Sequence, residues 1–211
     1  QIPIQLHFKV EENYDGQAMY FREAIANELQ DWCKENGYDL YSSGLKIYTT
    51  LDPKMQKYAE EAVLKQMKIV QRNFDSEWGA NKKGVCWYDE NGNEVPHFIE
   101  DIAQRLPQYK QLLAKYANNP DSVSYYMNKP HMVKLFDYDK GTVEKEMSSL
   151  DSIRYMVHFM HCAMVAMEPE TGAIRAYVGD VDFKTWKFDK AEATHQPGST
   201  FKLFVYTEAM N

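Results

Sequence analysis

The sequence has little of several features that mark particular classes of protein. It has only three cysteines in 211 residues, Cys33, Cys86 and Cys162, and none of them lies in a CxxC pair. Cysteines this sparse exclude a fold held together by several disulfides, and they leave the cellular compartment open. No apolar run approaches the roughly 20 residues that a membrane helix requires, so no segment is predicted to cross a bilayer.

Basic residues are also scarce relative to acidic ones. The chain has 24 Lys and Arg against 31 Asp and Glu, a formal net charge of −7 and a pI near 5.4. A nucleic-acid-binding protein normally presents a basic surface, so the composition argues against nucleic acid as a partner. Aromatic residues are plentiful at 14%, which excludes a disordered chain and, at this length, predicts a full hydrophobic core.

The two ends of the sequence indicate a piece of a longer protein. The chain begins at Gln1 without a methionine or a signal-peptide pattern, and it ends at Asn211 directly after an apolar helical pattern. We therefore expect any membrane anchor or export signal to lie upstream of this segment.

The first part of the chain is predicted to contain a helix, a strand and a second helix. Apolar residues at helical spacing predict a helix over Gly16–Asn36, and period-two alternation predicts a strand over Leu45–Thr50. Asp52-Pro53 supplies an N-cap and a first-turn proline for a helix that extends through Val70. We expect a polar loop over residues 73–84. Residues 1–70 are interpreted as a linker region.

The middle of the chain carries no catalytic signature. It is predicted to hold a short strand over Val85–Tyr88, a helix from Phe98 that Pro107 breaks and restarts, and a hairpin around Asp139-Lys140-Gly141. We interpret residues 71–150 as a small inserted module.

The last part of the chain is predicted to hold a helix, a hairpin and a final helix. The first helix covers Ser149–Met160, and the hairpin strands Cys162–Met167 and Ile174–Val178 flank the turn at Pro169–Gly172. A polar loop leads from there to an apolar helix at the end of the chain. Hairpins and helices without regular βαβ alternation favour an α+β fold.

Ser199 and Lys202 form an S-x-x-K tetrad at the start of that final helix. Residues three apart lie on one face of a helix, so the two side chains can meet. A serine hydroxyl is a poor nucleophile until a base takes its proton, and a partly desolvated lysine can do so. The helix N-terminus would favour the developing oxyanion.

The tetrad alone is weak evidence, because serine and lysine are common residues. Ser43–Lys46 also matches, but it runs into the predicted strand, where positions i and i+3 point to opposite faces. Ser199 instead follows Gln196-Pro197-Gly198 and opens an apolar helix, which is the context that the chemistry needs.

Two stretches resemble the penicillin-binding proteins. MVAMEPETGAIRAYVGD and HQPGSTFKLFVY, within Met164–Tyr206, are similar to the start of their transpeptidase domain, whose signatures include S-x-x-K. GLKIYTTLDPKMQKYAEEAV, over Gly44–Val63, resembles the linker between the glycosyltransferase and transpeptidase domains of class A (bifunctional) members. Residues 151–211 are therefore interpreted as the start of a transpeptidase domain, an incomplete portion of the penicillin-binding/β-lactamase-like fold.

The resemblance implies a serine D,D-transpeptidase that crosslinks peptidoglycan stem peptides. Ser199 would be the nucleophile that forms the acyl-enzyme, Lys202 would be the base that activates it, and β-lactam antibiotics would acylate the same serine. No cofactor or metal is implied. The resemblance places the parent protein in the cell envelope, on the periplasmic face of the cytoplasmic membrane, with a glycosyltransferase domain and an anchor upstream.

Several family elements are missing from this sequence. No serine has Asn two residues later, Lys140-Gly141-Thr142 does not match K-[ST]-G, and Glu100-Asp101 is followed by Gln104 where the glycosyltransferase motif E-D-x-x-F requires Phe. We therefore predict that this chain alone neither crosslinks stem peptides nor polymerises glycan.

Two other functions stay open. A β-lactam sensor or β-lactamase would share the Ser199–Lys202 pair, although the linker-like segment argues against it. A non-catalytic interaction module would use residues 71–150 as a docking surface for regulators of cell-wall synthesis. His158, His161 and Cys162 have a spacing that could bind a metal on a helix, but a helix end before an apolar strand favours a structural role.

Overall fold

The computed structural model describes residues 16–78, 86–116, 118–194 and 198–210. The described helices are α1 (Met19–Asn36), α2 (Pro53–Trp78), α3 (Phe98–Arg105), α4 (Pro107–Lys115), α5 (Pro120–Asn128), α6 (Ser149–Val157) and α7 (Lys202–Met210). The strands are β1 (His131–Asp137), β2 (Gly141–Met147), β3 (Met164–Met167) and β4 (Ile174–Val178). The predicted α+β fold class is confirmed. No helix in these ranges is long and apolar enough to cross a membrane.

The four strands form two separate antiparallel hairpins. β1 pairs with β2 from Asp137 opposite Gly141 at the turn to His131 opposite Met147 at the open end. β3 pairs with β4, with an irregularity between Ala166 and Met167. Both hairpins lie where the turn residues predict them, because each pairing is local along the chain.

Helix α2 begins where its capping sequence predicts, and it continues beyond Val70, the last residue of its predicted apolar stripe. The Oδ1 atom of Asp52 accepts hydrogen bonds from the backbone N–H groups of Lys54 and Met55 at 2.8 and 2.9 Å. The helix ends at Trp78, so the prediction of a loop from residue 73 is wrong for residues 73–78. These residues are mostly exposed, and an exposed polar helix face has the composition of a loop. The rest of that predicted loop lies outside the described residues.

The predicted strand over Leu45–Thr50 is wrong. Among the described residues the segment joins no sheet; at its end, the hydroxyl of Thr50 donates to the carbonyl of Ile174 at 2.9 Å. One residue beyond it, the N–H of Asp52 donates to the carbonyl of Arg175 at 2.9 Å. Alternation predicts the side-chain pattern of a strand, but a strand also needs a partner edge along its length.

Directly before the first hairpin lies α5, a helix that the sequence patterns did not predict. The side chain of Asn119 accepts hydrogen bonds from the N–H groups of Asp121 and Ser122, and Pro120 occupies the first turn. Asn119-Pro120 thus repeats the signal of Asp52-Pro53 at the start of α2. The predicted short strand before α3 reduces to a single bridge between Tyr88 and Glu94; Val85 lies outside the described residues.

The hydrophobic core has three clusters. One packs α2 against β4 and the first hairpin, and a second packs the start of α1 against β4 and Phe183. The third cluster joins α3, α5 and α6 and is made of Ile99, Ala103, Val123, Met127 and Ile153. The division into residues 1–70, 71–150 and 151–211 stays a prediction.

The final helix lies where the sequence predicts it, but every residue from 198 to 210 is exposed. Phe201 is 53% exposed and Leu203 is 69% exposed. Phe201 fits the apolar pattern of this helix, but the described residues do not bury it. A row of large apolar side chains on a helix normally has a partner surface, and the described residues do not provide one for α7.

Candidate active site

Ser199 and Lys202 lie on one continuous helical segment. Ser199 is in the 3₁₀ turn Gly198–Phe201, and Lys202 is the first residue of α7. Side chains three residues apart are eclipsed in a 3₁₀ helix, so the spacing places both on the same side. Both residues are exposed, and no hydrogen bond joins their side chains in the part of the chain that the structure describes. His195–Pro197, part of the predicted entry to this helix, lie outside the described residues.

The segment 180–194 leads from β4 to this turn and is ordered by its own polar residues. The Oδ2 atom of Asp182 accepts from the N–H of Thr185 at 2.8 Å, and the carbonyl of Asp182 accepts from the N–H of Trp186 at 2.9 Å. The Oδ1 atom of Asp189 accepts from the N–H of Ala191 at 2.8 Å. The aspartates that make this segment resemble a plain polar loop therefore fix its backbone.

The hairpin before this segment is closed by the predicted Pro169–Gly172 turn. The N–H of Gly172 donates to the carbonyl of Glu168 at 2.8 Å, and Gly172 has φ of 72°, in the left-handed region that favours glycine. The carboxylate of Glu168 accepts from the hydroxyl of Thr171 and from the guanidinium of Arg175 at 2.9 Å. These hydrogen bonds, that of Thr171 first, hold the pKa of Glu168 below its usual value.

His158, His161 and Cys162, whose spacing could bind a metal on a helix, do not form a metal site in the described structure. Helix α6 ends at Val157, so His158, His161 and Cys162 do not share a helix face. The Nδ1 atom of His158 lies 2.6 Å from the carbonyl of Arg154, and that of His161 lies 2.8 Å from Oδ2 of Asp180. No group of His, Cys, Asp and Glu within residues 16–78, 86–116, 118–194 and 198–210 could hold a metal ion.

A cavity of about 730 Å³ lies between α2, α6 and the turn of the first hairpin. Charged side chains at its edge form ion pairs: Lys68 with Asp139, and Arg154 with Asp151 at 2.8 Å. Tyr155 and Phe159 supply aromatic surface to its wall. The cavity therefore offers both charged and aromatic surface, at a place distant in sequence from Ser199.

Sequence reasoning did not find the residues that hold segment 180–194 in place. They include Tyr20 in α1 and Tyr177 in β4, whose hydroxyl groups donate to the carbonyl of Trp186 and to the carboxylate of Asp189. Their apolar rings fit the helical and strand patterns, so nothing in the pattern distinguishes them from ordinary core residues.

Two family models match the chain, in sequence order. A model of the penicillin-binding protein middle domain matches residues 82–160, and a model of the penicillin-binding protein transpeptidase domain matches residues 162–211. Together they cover more than half of the chain, and Ser199 and Lys202 lie within the second match.

Similar proteins include penicillin-binding protein 1A of several bacteria. That of Neisseria lactamica is 29% identical over 98% of this chain and 28% of its own length. That of Neisseria gonorrhoeae is 28% identical over the same shares, and that of Escherichia coli (strain K12) is 26% identical over 94% of this chain and 27% of its own length. This chain thus spans little more than a quarter of the relatives that it matches. No solved structure matches it significantly. The chain therefore belongs to the penicillin-binding proteins, consistent with a segment of a class A member that carries middle-domain sequence and part of the transpeptidase domain.

Proposed function

We propose that the longer protein containing this chain is a serine D,D-transpeptidase in which Ser199 is the nucleophile and Lys202 is the base. The observation that carries the proposal is the S-x-x-K pair on one helical segment, inside the part of the chain that matches the transpeptidase model. A serine at the start of a helix has free backbone N–H groups nearby, which favour a developing oxyanion.

The reaction would proceed through an acyl-enzyme. Lys202 takes the proton of Ser199 as Oγ attacks the penultimate D-Ala carbonyl of a stem peptide, and the terminal D-Ala leaves as the amine after it gains that proton. The amine of a neighbouring stem peptide then attacks the serine ester, forming the crosslinking amide and returning a proton to Oγ. A β-lactam would follow the first step only: its ring C–N bond breaks, and the ester to Ser199 remains.

The rest of the parent protein is part of the same proposal. We expect a glycosyltransferase domain and a membrane anchor upstream, which place the enzyme on the periplasmic face of the cytoplasmic membrane. Residues 1–70 would act as a linker region and residues 151–211 as the start of the transpeptidase domain. Residues 71–150 would form an inserted module. Trp78, Asp137 and Tyr138 of this range line part of the cavity, and the charged and aromatic surface that they present supports a role in binding regulators of cell-wall synthesis.

Labelling of the full-length protein with a fluorescent penicillin tests the nucleophile. We expect a covalent adduct on Ser199 that disappears in Ser199→Ala, while Ser43→Ala, in the other S-x-x-K match, keeps it. An adduct that persists in Ser199→Ala would remove the transpeptidase and β-lactamase hypotheses together and favour a non-catalytic module. Rapid hydrolysis of the penicillin by the labelled protein would favour the β-lactamase.

A further inference from the structure

Tyr20, at the start of α1, contacts the segment that leads to Ser199. Its side chain is buried, and its hydroxyl donates a hydrogen bond to the carbonyl of Trp186 at 2.5 Å. Its ring meets the ring of Phe183 edge to face, with 4.9 Å between the centroids. Phe183 and Trp186 both belong to segment 180–194. A residue near the start of the described chain thus holds the middle of the segment that precedes the nucleophile.

The approach of Tyr20 depends on a glycine at the end of β4. A Cβ atom on Gly179 would lie 2.6 Å from a ring carbon of Tyr20 and 2.5 Å from Oδ1 of Asp189. Both distances are far shorter than van der Waals contact, so a side chain at this position would displace one neighbour or the other. Gly179 therefore lets α1 and segment 180–194 meet at the end of β4.

Other hydrogen bonds fix the same segment further along. The hydroxyl of Tyr177 donates to Oδ2 of Asp189 at 2.8 Å, and the N–H of Lys190 donates to the carbonyl of Gly179 at 2.9 Å. These bonds tie residues 189 and 190 to β4, five residues before His195. The bond from Tyr20 to Trp186 connects the same segment to α1, in a different part of the fold.

The hydroxyl of Tyr20 is held in its donor form. Burial, and then the nearby carboxylates of Asp180, Asp182 and Asp189, raise the pKa of Tyr20 well above its usual value. A tyrosine hydroxyl is protonated at neutral pH in any case, and the raised pKa extends this donor form to more alkaline pH.

We propose that Tyr20 is a positioning residue for the nucleophile: its hydroxyl on Trp186 and its ring against Gly179 fix the course of segment 180–194, the stretch of chain that precedes Ser199. Tyr20 does not touch the substrate; it acts through the segment. The inference rests on the proposed function, and it makes acylation of Ser199 depend on a residue of the linker region.

The test measures acylation of the full-length protein by a fluorescent penicillin in the variant Tyr20→Phe. This change removes the hydroxyl and keeps the ring. Stopped-flow labelling separates the dissociation constant of the non-covalent complex from the acylation rate constant, and thermal unfolding reports stability. We expect the acylation rate constant to fall about tenfold to a hundredfold with the dissociation constant unchanged, because a misplacement of the nucleophile by about 1 Å can cost about a hundredfold in rate. Gly179→Ala, whose Cβ would displace the ring of Tyr20 or the carboxylate of Asp189, is expected to lower the same rate constant.

Tyr38→Phe is the matched control. Tyr38 follows α1, is half exposed and stacks on Trp32, so the loss of its hydroxyl is expected to leave acylation unchanged. A Tyr20→Phe protein that acylates at the wild-type rate would overturn the proposal. So would a rate that falls only in proportion to the loss of folded protein. Loss of labelling in Ser199→Ala with normal rates in Tyr20→Phe would leave the proposed function standing and reject the positioning role alone.

Discussion

Gln56 of α2 makes the two hydrogen bonds to Tyr177 of β4 that a neighbouring strand would otherwise make. Its Oε1 atom accepts from the N–H of Tyr177 at 2.7 Å, and its Nε2 atom donates to the carbonyl of Tyr177 at 2.9 Å. Gln56 is fully buried, although it is polar. At Tyr177, the edge of β4 that faces away from β3 is thereby satisfied by a helix side chain instead of a third strand.

Replacing Gln56 by leucine is expected to destabilise the chain strongly. The substitution leaves both backbone groups of Tyr177 buried without a partner, and each such group costs about 1–3 kcal/mol. We therefore expect the free energy of unfolding, measured by urea denaturation, to fall by about 2–5 kcal/mol. Gln66→Leu, on an exposed position of the same helix, is the control and should change it by less than about 0.5 kcal/mol. Equal effects of the two substitutions would contradict this role.

Asp52 is expected to contribute a pH-dependent part of the stability. Hydrogen bonds from the N–H groups of Met55 and Lys54 hold its pKa below the usual value of 3.8. A carboxyl whose pKa is lowered on folding stabilises the fold above its unfolded pKa, and this contribution is lost as the pH falls through the folded pKa. Asp52→Asn keeps a capping side chain but cannot titrate, so the melting temperature should fall less steeply below about pH 4.

Asn119→Ala provides the comparison for Asp52→Asn, because Asn119 caps α5 with an amide. We expect this variant to melt at a lower temperature throughout the pH series without a change in the slope below pH 4. A slope for Asp52→Asn that equals that of the unmodified chain would show that the cap does not titrate with folding.

Lys202→Ala in the full-length protein is expected to lose acylation by several orders of magnitude. A base that takes the serine proton contributes about 10²–10⁴-fold in rate, and the activated nucleophile depends on it. The melting temperature should change little, because alanine keeps the high helix propensity that this position in α7 needs. Acylation at the normal rate would limit Lys202 to a structural role.

The 211-residue chain by itself is expected to remain unlabelled by fluorescent penicillin. It carries Ser199 and Lys202 but neither S-x-N nor K-[ST]-G, which the resemblance implies the complete site requires. Labelling of the isolated chain on Ser199 would show that the missing motifs are dispensable for acylation.

The apolar surface of α7, where Phe204 is 66% exposed, should bind an apolar dye, and Phe204→Glu should weaken this binding.

The sequence alone determined the features that depend on neighbouring residues. Asp52-Pro53 predicts the start of α2, Pro107 predicts the break between α3 and α4, and the turn at Pro169–Gly172 predicts the second hairpin. The S-x-x-K tetrad is likewise a local pattern, and its helical context follows from the residues around it. Caps, turns and helix breaks arise from contacts within a few residues, so a pattern is enough to locate them.

Only the tertiary structure decided which distant groups meet. The alternation in Leu45–Thr50 predicts a strand, but within the described residues this segment pairs with no other strand. Tyr20 and Trp186 are 166 residues apart, and Gln56 and Tyr177 are 121 residues apart. Such pairs depend on how whole helices and hairpins pack, because a buried polar group bonds whichever complementary group the fold places beside it. No periodic pattern in the sequence shows which distant groups will lie side by side.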